Sequence, residues 1–113
     1  MTNLAQNNQT DNKTLQIKTI DIQAKEWFDK VNGNSYFAGI ITVDLGLPTE
    51  KEFKMPFQYG YGLQYEQEAF TILRNNNLLP EKVNGYSPDL KDNGIIIRSS
   101  IQKNCKKSEL KNI

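Results

Sequence analysis

At 113 residues the chain is long enough for one domain with a single modest core, and 37% hydrophobic against 24% charged residues suits the globular class. Its 14 basic and 13 acidic residues leave a formal charge of +1, without the basic excess of a protein built around phosphate contacts. With no His and a single Cys105, the chain excludes an internal disulfide, a Cys/His zinc site and a Cys–His catalytic pair.

Residues 1–13, MTNLAQNNQTDNK, are polar and aperiodic and read as a disordered lead. They carry neither a basic n-region nor an apolar h-region, so a cytoplasmic location is expected. One domain is expected over 14–104, followed by a polar, Lys-rich tail over 105–113.

The first ordered unit is a long hairpin around Asn32-Gly33, a pair suited to the positive φ of a type I′ turn. Counting outward places Phe28 opposite Phe37, Ala24 opposite Ile41, Ile22 opposite Val43 and Ile20 opposite Leu45, all on one apolar face. The other face sets Trp27 against Ala38, Lys25 against Ile40 and Asp29 against Tyr36. It also opposes Asp21 and Asp44, a like-charge pair that costs stability.

After the Gly46–Glu50 loop, Phe53, Met55 and Phe57 alternate with polar residues as a third strand, and Pro56 argues for an edge or a strand end. QYGYG, residues 58–62, forms an aromatic corner, and it lacks the strand–GxGxxG–helix setting of a nucleotide-binding turn. Residues 63–77 read as a helix with Tyr65, Ala69, Phe70, Ile72 and Leu73 on its apolar stripe. Glu66 and Glu68 suit its N-terminal dipole, and Asn75–Asn77 can adopt a left-handed cap. Residues 81–94 are a turn-rich connection, and Ile95, Ile97 and Ile101 share one face of a last strand. The expected fold is α+β: a mainly antiparallel twisted sheet, β-β-β-α-β, with one helix on its apolar face.

The stretches AKEWFDKVNGNSYF (24–37) and PFQYGYG (56–62) resemble small uncharacterised proteins encoded by phages and mobile elements of Bacteroidetes-type bacteria. The resemblance covers roughly residues 15–73. It implies a viral accessory role by binding a host protein or a nucleic acid, a class that includes anti-CRISPR inhibitors of RNA-guided nucleases. No catalytic residue comes with it.

The leading expectation is a non-enzymatic inhibitor of a host defence effector, a CRISPR nuclease or its guide-RNA complex, without cofactor or metal. Trp27, Asp29, Tyr36, Ile40, Tyr59, Tyr61 and Tyr86 are its candidate partner-binding residues, because large rigid aromatics dominate interface hot spots. The alternative is a single-stranded nucleic-acid-binding accessory of phage replication or recombination. There the aromatics stack on bases while Lys25, Lys30, Lys54, Lys103, Lys106 and Lys107 neutralise phosphates. A virion assembly protein, or an enzyme holding a cation through Asp21 and Asp44, ranks below both.

Overall fold

The computed structural model describes residues 17–79 and 94–113. The N-terminal lead, most of the 81–94 connection and Tyr86 lie outside these residues. Four strands, β1 (Thr19–Asp29), β2 (Asn34–Val43), β3 (Lys51–Tyr59) and β4 (Ile96–Gln102), form one sheet in the order β3-β2-β1-β4. β3, β2 and β1 run antiparallel, and β4 joins β1 in parallel. Helix α1 (Gln64–Asn75) packs on one face, which gives the expected α+β arrangement. A second helix, α2 (Lys107–Lys111), lies on the other.

The β1–β2 hairpin keeps the expected faces but not the expected pairs. Its loop is longer than an Asn-Gly two-residue turn. Asp29 pairs with Asn34, and the Gly33 amide donates to the Asp29 carbonyl at 2.7 Å. The Asp29 carboxylate accepts the Val31 and Asn32 amides at 3.0 and 3.3 Å and the Asn32 side-chain amide at 2.8 Å. These bonds wind residues 30–33 into the loop, where only Gly33 has a positive φ, at 71°. Every pair therefore slips by two residues. Ile20 faces Val43, Ile22 faces Ile41 and Ala24 faces Gly39. A two-residue slip preserves which side chains point inward, so the core survives the change. Phe28, opposite Ser35, and Leu45, beyond the ladder, are not core residues; they are 46% and 51% exposed.

The slip also removes the Asp21–Asp44 clash. Asp21 faces Thr42, and Arg98 of β4 grips it through two nitrogens at 2.7 and 3.0 Å. Asp44 leaves the ladder with φ 54° and is buried. It accepts the Lys18 and Thr19 amides at 2.6 and 3.2 Å and the Thr49 hydroxyl at 2.6 Å. Burial pushes its carboxyl pKa up, but these three donors outweigh burial and hold it below the ordinary 3.8.

β3 departs further from simple alternation. Gly39 pairs with Met55 and Phe37 with Gln58, so Pro56 and Phe57 together stand opposite Ala38 in a bulge. The missing amide of Pro56 is tolerated there, on an edge strand. Phe53 and Met55 face α1, whereas Phe57 crosses to the opposite face, against the expected three-residue alternation. Gly39 makes the close approach possible. A Cβ on it would lie 2.4 Å from the Gln23 carbonyl oxygen and 2.8 Å from the Met55 methyl.

α1 buries Tyr65, Ala69, Phe70 and Leu73 against Ile20, Ile22, Phe37, Ile41, Val43 and Met55. It ends in a Schellman motif: the Asn77 amide donates to the Arg74 carbonyl and the Leu78 amide to the Leu73 carbonyl. Asn77 supplies the left-handed residue that motif needs, with φ 63°. Ile95 is buried, and Ile97 and Ile101 pack on the same core as expected.

Two substitutions test this account. Gly39→Ala should cost about 3 kcal/mol in denaturant unfolding, because the Cβ meets backbone that cannot rotate away. Asp44→Asn should cost about 1–3 kcal/mol at pH 7, the worth of hydrogen bonds to a buried charge. A depressed acid stabilises above its unfolded pKa and loses that contribution as pH falls through its folded value. The gap between wild type and Asp44→Asn should therefore close below pH 3.8, read as unfolding midpoints across pH.

Candidate binding surface on the outer face of the sheet

The register slip places Trp27 directly opposite Tyr36, and the β3 bulge delivers Phe57 beside both. The Trp27 and Tyr36 rings stack with centroids 5.3 Å apart, and Tyr36 stacks on Phe57 at 5.2 Å. Tyr59 meets Tyr36 edge-on at 5.9 Å, and Tyr61 meets Tyr59 edge-on at 6.5 Å. Five rings from three strands and the following corner thus form one continuous run across the face opposite α1. Trp27, Tyr36 and Phe57 are half-buried at its inner end. Tyr59 and Tyr61 are 58% and 63% exposed at its outer end, with Leu63 at 65% just beyond.

The chain after β4 supports the inner end. Asn104, with φ 63°, turns the backbone so that the Cys105 amide donates to the Glu26 carbonyl at 3.0 Å. Cys105 and Leu110 are buried against Ala38, with Trp27, Tyr36, Phe57 and Ile113 packed around them. Residues 105–113, expected as a free polar tail, are therefore folded onto the sheet. The signal was faint: Cys105, Leu110 and Ile113 are isolated among lysines, and only a waiting apolar face gives them a partner.

The expected partner-binding residues, apart from Tyr86 outside the described residues, divide into three groups. Trp27, Tyr36, Tyr59 and Tyr61 are brought together. Ile40 lies on the same face but apart from the rings, in a 710 Å³ cleft with Lys25 and Ile113. Asp29 is a different case. The Asn32 side chain foremost, working against burial and aided by backbone amides and Lys107, lowers its pKa. Its oxygens hold the hairpin turn, which accounts for the residue structurally. Phe57 belongs to the run and was missed by sequence alternation; the one available signal was the proline before it.

The lysines are only partly gathered. The Lys107 ammonium sits 5.4 Å from the Trp27 ring centre, and Lys54 and Lys111 line a 420 Å³ cleft with Phe57 and Leu110. Lys103 and Lys106 flank Cys105 on the exposed part of the C-terminal segment, and Lys30 lies in the hairpin loop. Glu52 on β3 and Glu109 on α2 interrupt the positive charge.

Among the described residues no group of three His, Cys, Asp or Glu could hold a metal ion, and no helix is long and apolar enough to cross a membrane. Asp21 and Asp44, considered as cation ligands, are engaged by Arg98 and by backbone amides at separate places. No family model, curated protein or solved structure matches the chain.

The gradient of exposure along the aromatic run separates folding roles from surface roles. Tyr36→Ala, which empties the centre of the stack, should cost about 2 kcal/mol. Tyr61→Ala should change stability by no more than about 0.5 kcal/mol. Both are measured by urea unfolding.

Proposed function

We propose that this protein is a non-enzymatic binding protein that docks a protein partner on the aromatic run ending at Tyr59 and Tyr61. The observation that carries the reading is the placement of those two rings. They are more than half exposed, yet Tyr59 rests edge-on against Tyr36 of the half-buried stack and Tyr61 edge-on against Tyr59. Large aromatics held in place before contact lose little conformational freedom on binding, which is why Tyr and Trp dominate interface hot spots.

The partner class we propose is a host protein met in a bacterial cytoplasm, with an RNA-guided nuclease or its guide-RNA complex as the first candidate. The support is the resemblance of residues 24–37 and 56–62 to phage and mobile-element proteins. Both stretches contribute rings to the run: Trp27 and Tyr36 from the first, Phe57, Tyr59 and Tyr61 from the second.

A second reading, single-stranded nucleic-acid binding, is favoured by one observation: Lys107 over Trp27, with Lys54 near Phe57, sets cations beside rings.

Co-expression with CRISPR effectors of Bacteroidetes-type hosts should reduce target interference, and the double variant Tyr59→Ala/Tyr61→Ala should restore it. On the purified effector, that variant should bind about thirtyfold more weakly, the loss of one strong hot spot. Undiminished interference with the wild-type protein across those effectors would remove the inhibitor reading. Salt-dependent binding of single-stranded oligonucleotides, lost on Lys54→Ala/Lys107→Ala, would favour the second reading instead.

A further inference from the structure

We propose that residues 103–113 are an autoinhibitory strap, which occupies the inner half of the aromatic face and swings away to free it. The proposal rests on the binding reading above and adds its regulation. The sheet separates two apolar clusters. The larger one, under α1, holds Ile20, Ile22, Phe37, Ile41, Phe70 and Leu73; the smaller holds Ala38, Cys105 and Leu110, with Trp27, Tyr36, Phe57 and Ile113 packed on it. Releasing the strap therefore leaves the principal core closed.

The strap is weakly tied. α2 has five residues, well under the roughly 12–15 that an isolated helix needs to persist in water, so its helicity depends on docking. Leu110 is the one buried residue of α2. Among the described residues, the backbone bond joining the segment to the sheet runs from the Cys105 amide to the Glu26 carbonyl. Its other hydrogen bonds among the described residues are internal or local, such as the Lys106 amide to Glu109 at 2.6 Å and the Cys105 thiol to the Gln102 carbonyl at 3.3 Å.

The fit beneath the strap is also incomplete. Clefts of 710 and 420 Å³ flank α2, one beside Lys25 and Ile40 and the other beside Lys54 and Phe57, and Ile113 borders both. Opening uncovers Trp27, Ala38, Ile40 and Phe57 and joins them to the exposed Tyr59. Lys107 leaves the Trp27 ring at the same time. A short, solvent-flanked segment with few ties is the kind of unit that opens below the global unfolding free energy.

Native-state hydrogen exchange on the full-length protein decides the matter. The amides of Cys105, Asn112 and Ile113 should exchange at least about a hundredfold faster than those of Ile22 and Ile41. Leu110→Ala should raise their opening by at least about tenfold while the main unfolding transition stays cooperative. Trp27 is the single Trp of the chain, so acrylamide quenching of its fluorescence should rise in parallel. Exchange of the Cys105 amide in step with Ile22 and Ile41, or a Trp27 quenching constant unchanged in Leu110→Ala, would overturn the strap. These readouts need no partner, so they stand apart from the Tyr59→Ala/Tyr61→Ala result on which the binding reading depends.

Discussion

The rest of the molecule depends on the contact between β2 and β3 at Gly39, next to the bulge in which Pro56 and Phe57 stand against Ala38. Without a side chain, Gly39 lets the Gln23 carbonyl and the Met55 methyl close in from opposite sides. The bulge that follows absorbs Pro56 and reverses the facing of Phe57. Side-chain facing along a strand has a period of two, so one extra residue exchanges inside for outside from that point on. Before the bulge β3 feeds the core under α1. After it, the strand feeds the aromatic run, and the same backbone irregularity creates the seat for Leu110.

The carboxylates show a parallel economy. Asp29 winds the hairpin loop, Asp44 fastens the start of β1 to the end of β2, and Asp21 clamps β4 through Arg98. The two hairpin-end acids, Asp29 and Asp44, are held in their charged form by donated hydrogen bonds. Each sits where the chain changes direction or where the parallel strand joins. That use of acids is architectural, and it leaves the outer aromatic face as the feature with no folding duty at its exposed end.

Much of this was legible from residue order alone. The period-two pattern of Ile20, Ile22, Ala24, Ile41 and Val43 gave the inward face of the hairpin, and it withstood a register error because that error was an even number of residues. A left-handed cap within Asn75–Asn77 and the stripe Tyr65, Ala69, Phe70, Ile72 and Leu73 were equally local signals; Asn77 takes the cap, and Ile72 is the one stripe residue only partly buried. The misplaced elements share one cause. The turn length was set by Asp29, a residue outside the Asn-Gly pair. Phe57 was moved by a bulge that needs Gly39 on another strand. Leu110 was buried by a face assembled from three strands.

The sequence by itself determined the α+β class, the order of strands and helix, and the inventory of surface aromatics, because those follow from periodicities and turn propensities within a few residues. Only the tertiary structure decided that Trp27, Tyr36, Phe57, Tyr59 and Tyr61 form one run, and that residues 105–113 fold back over part of it. Those outcomes depend on register, and register is a property of pairs of strands. Within a single segment, nothing distinguishes a ring that will join a run of five from one that stands alone.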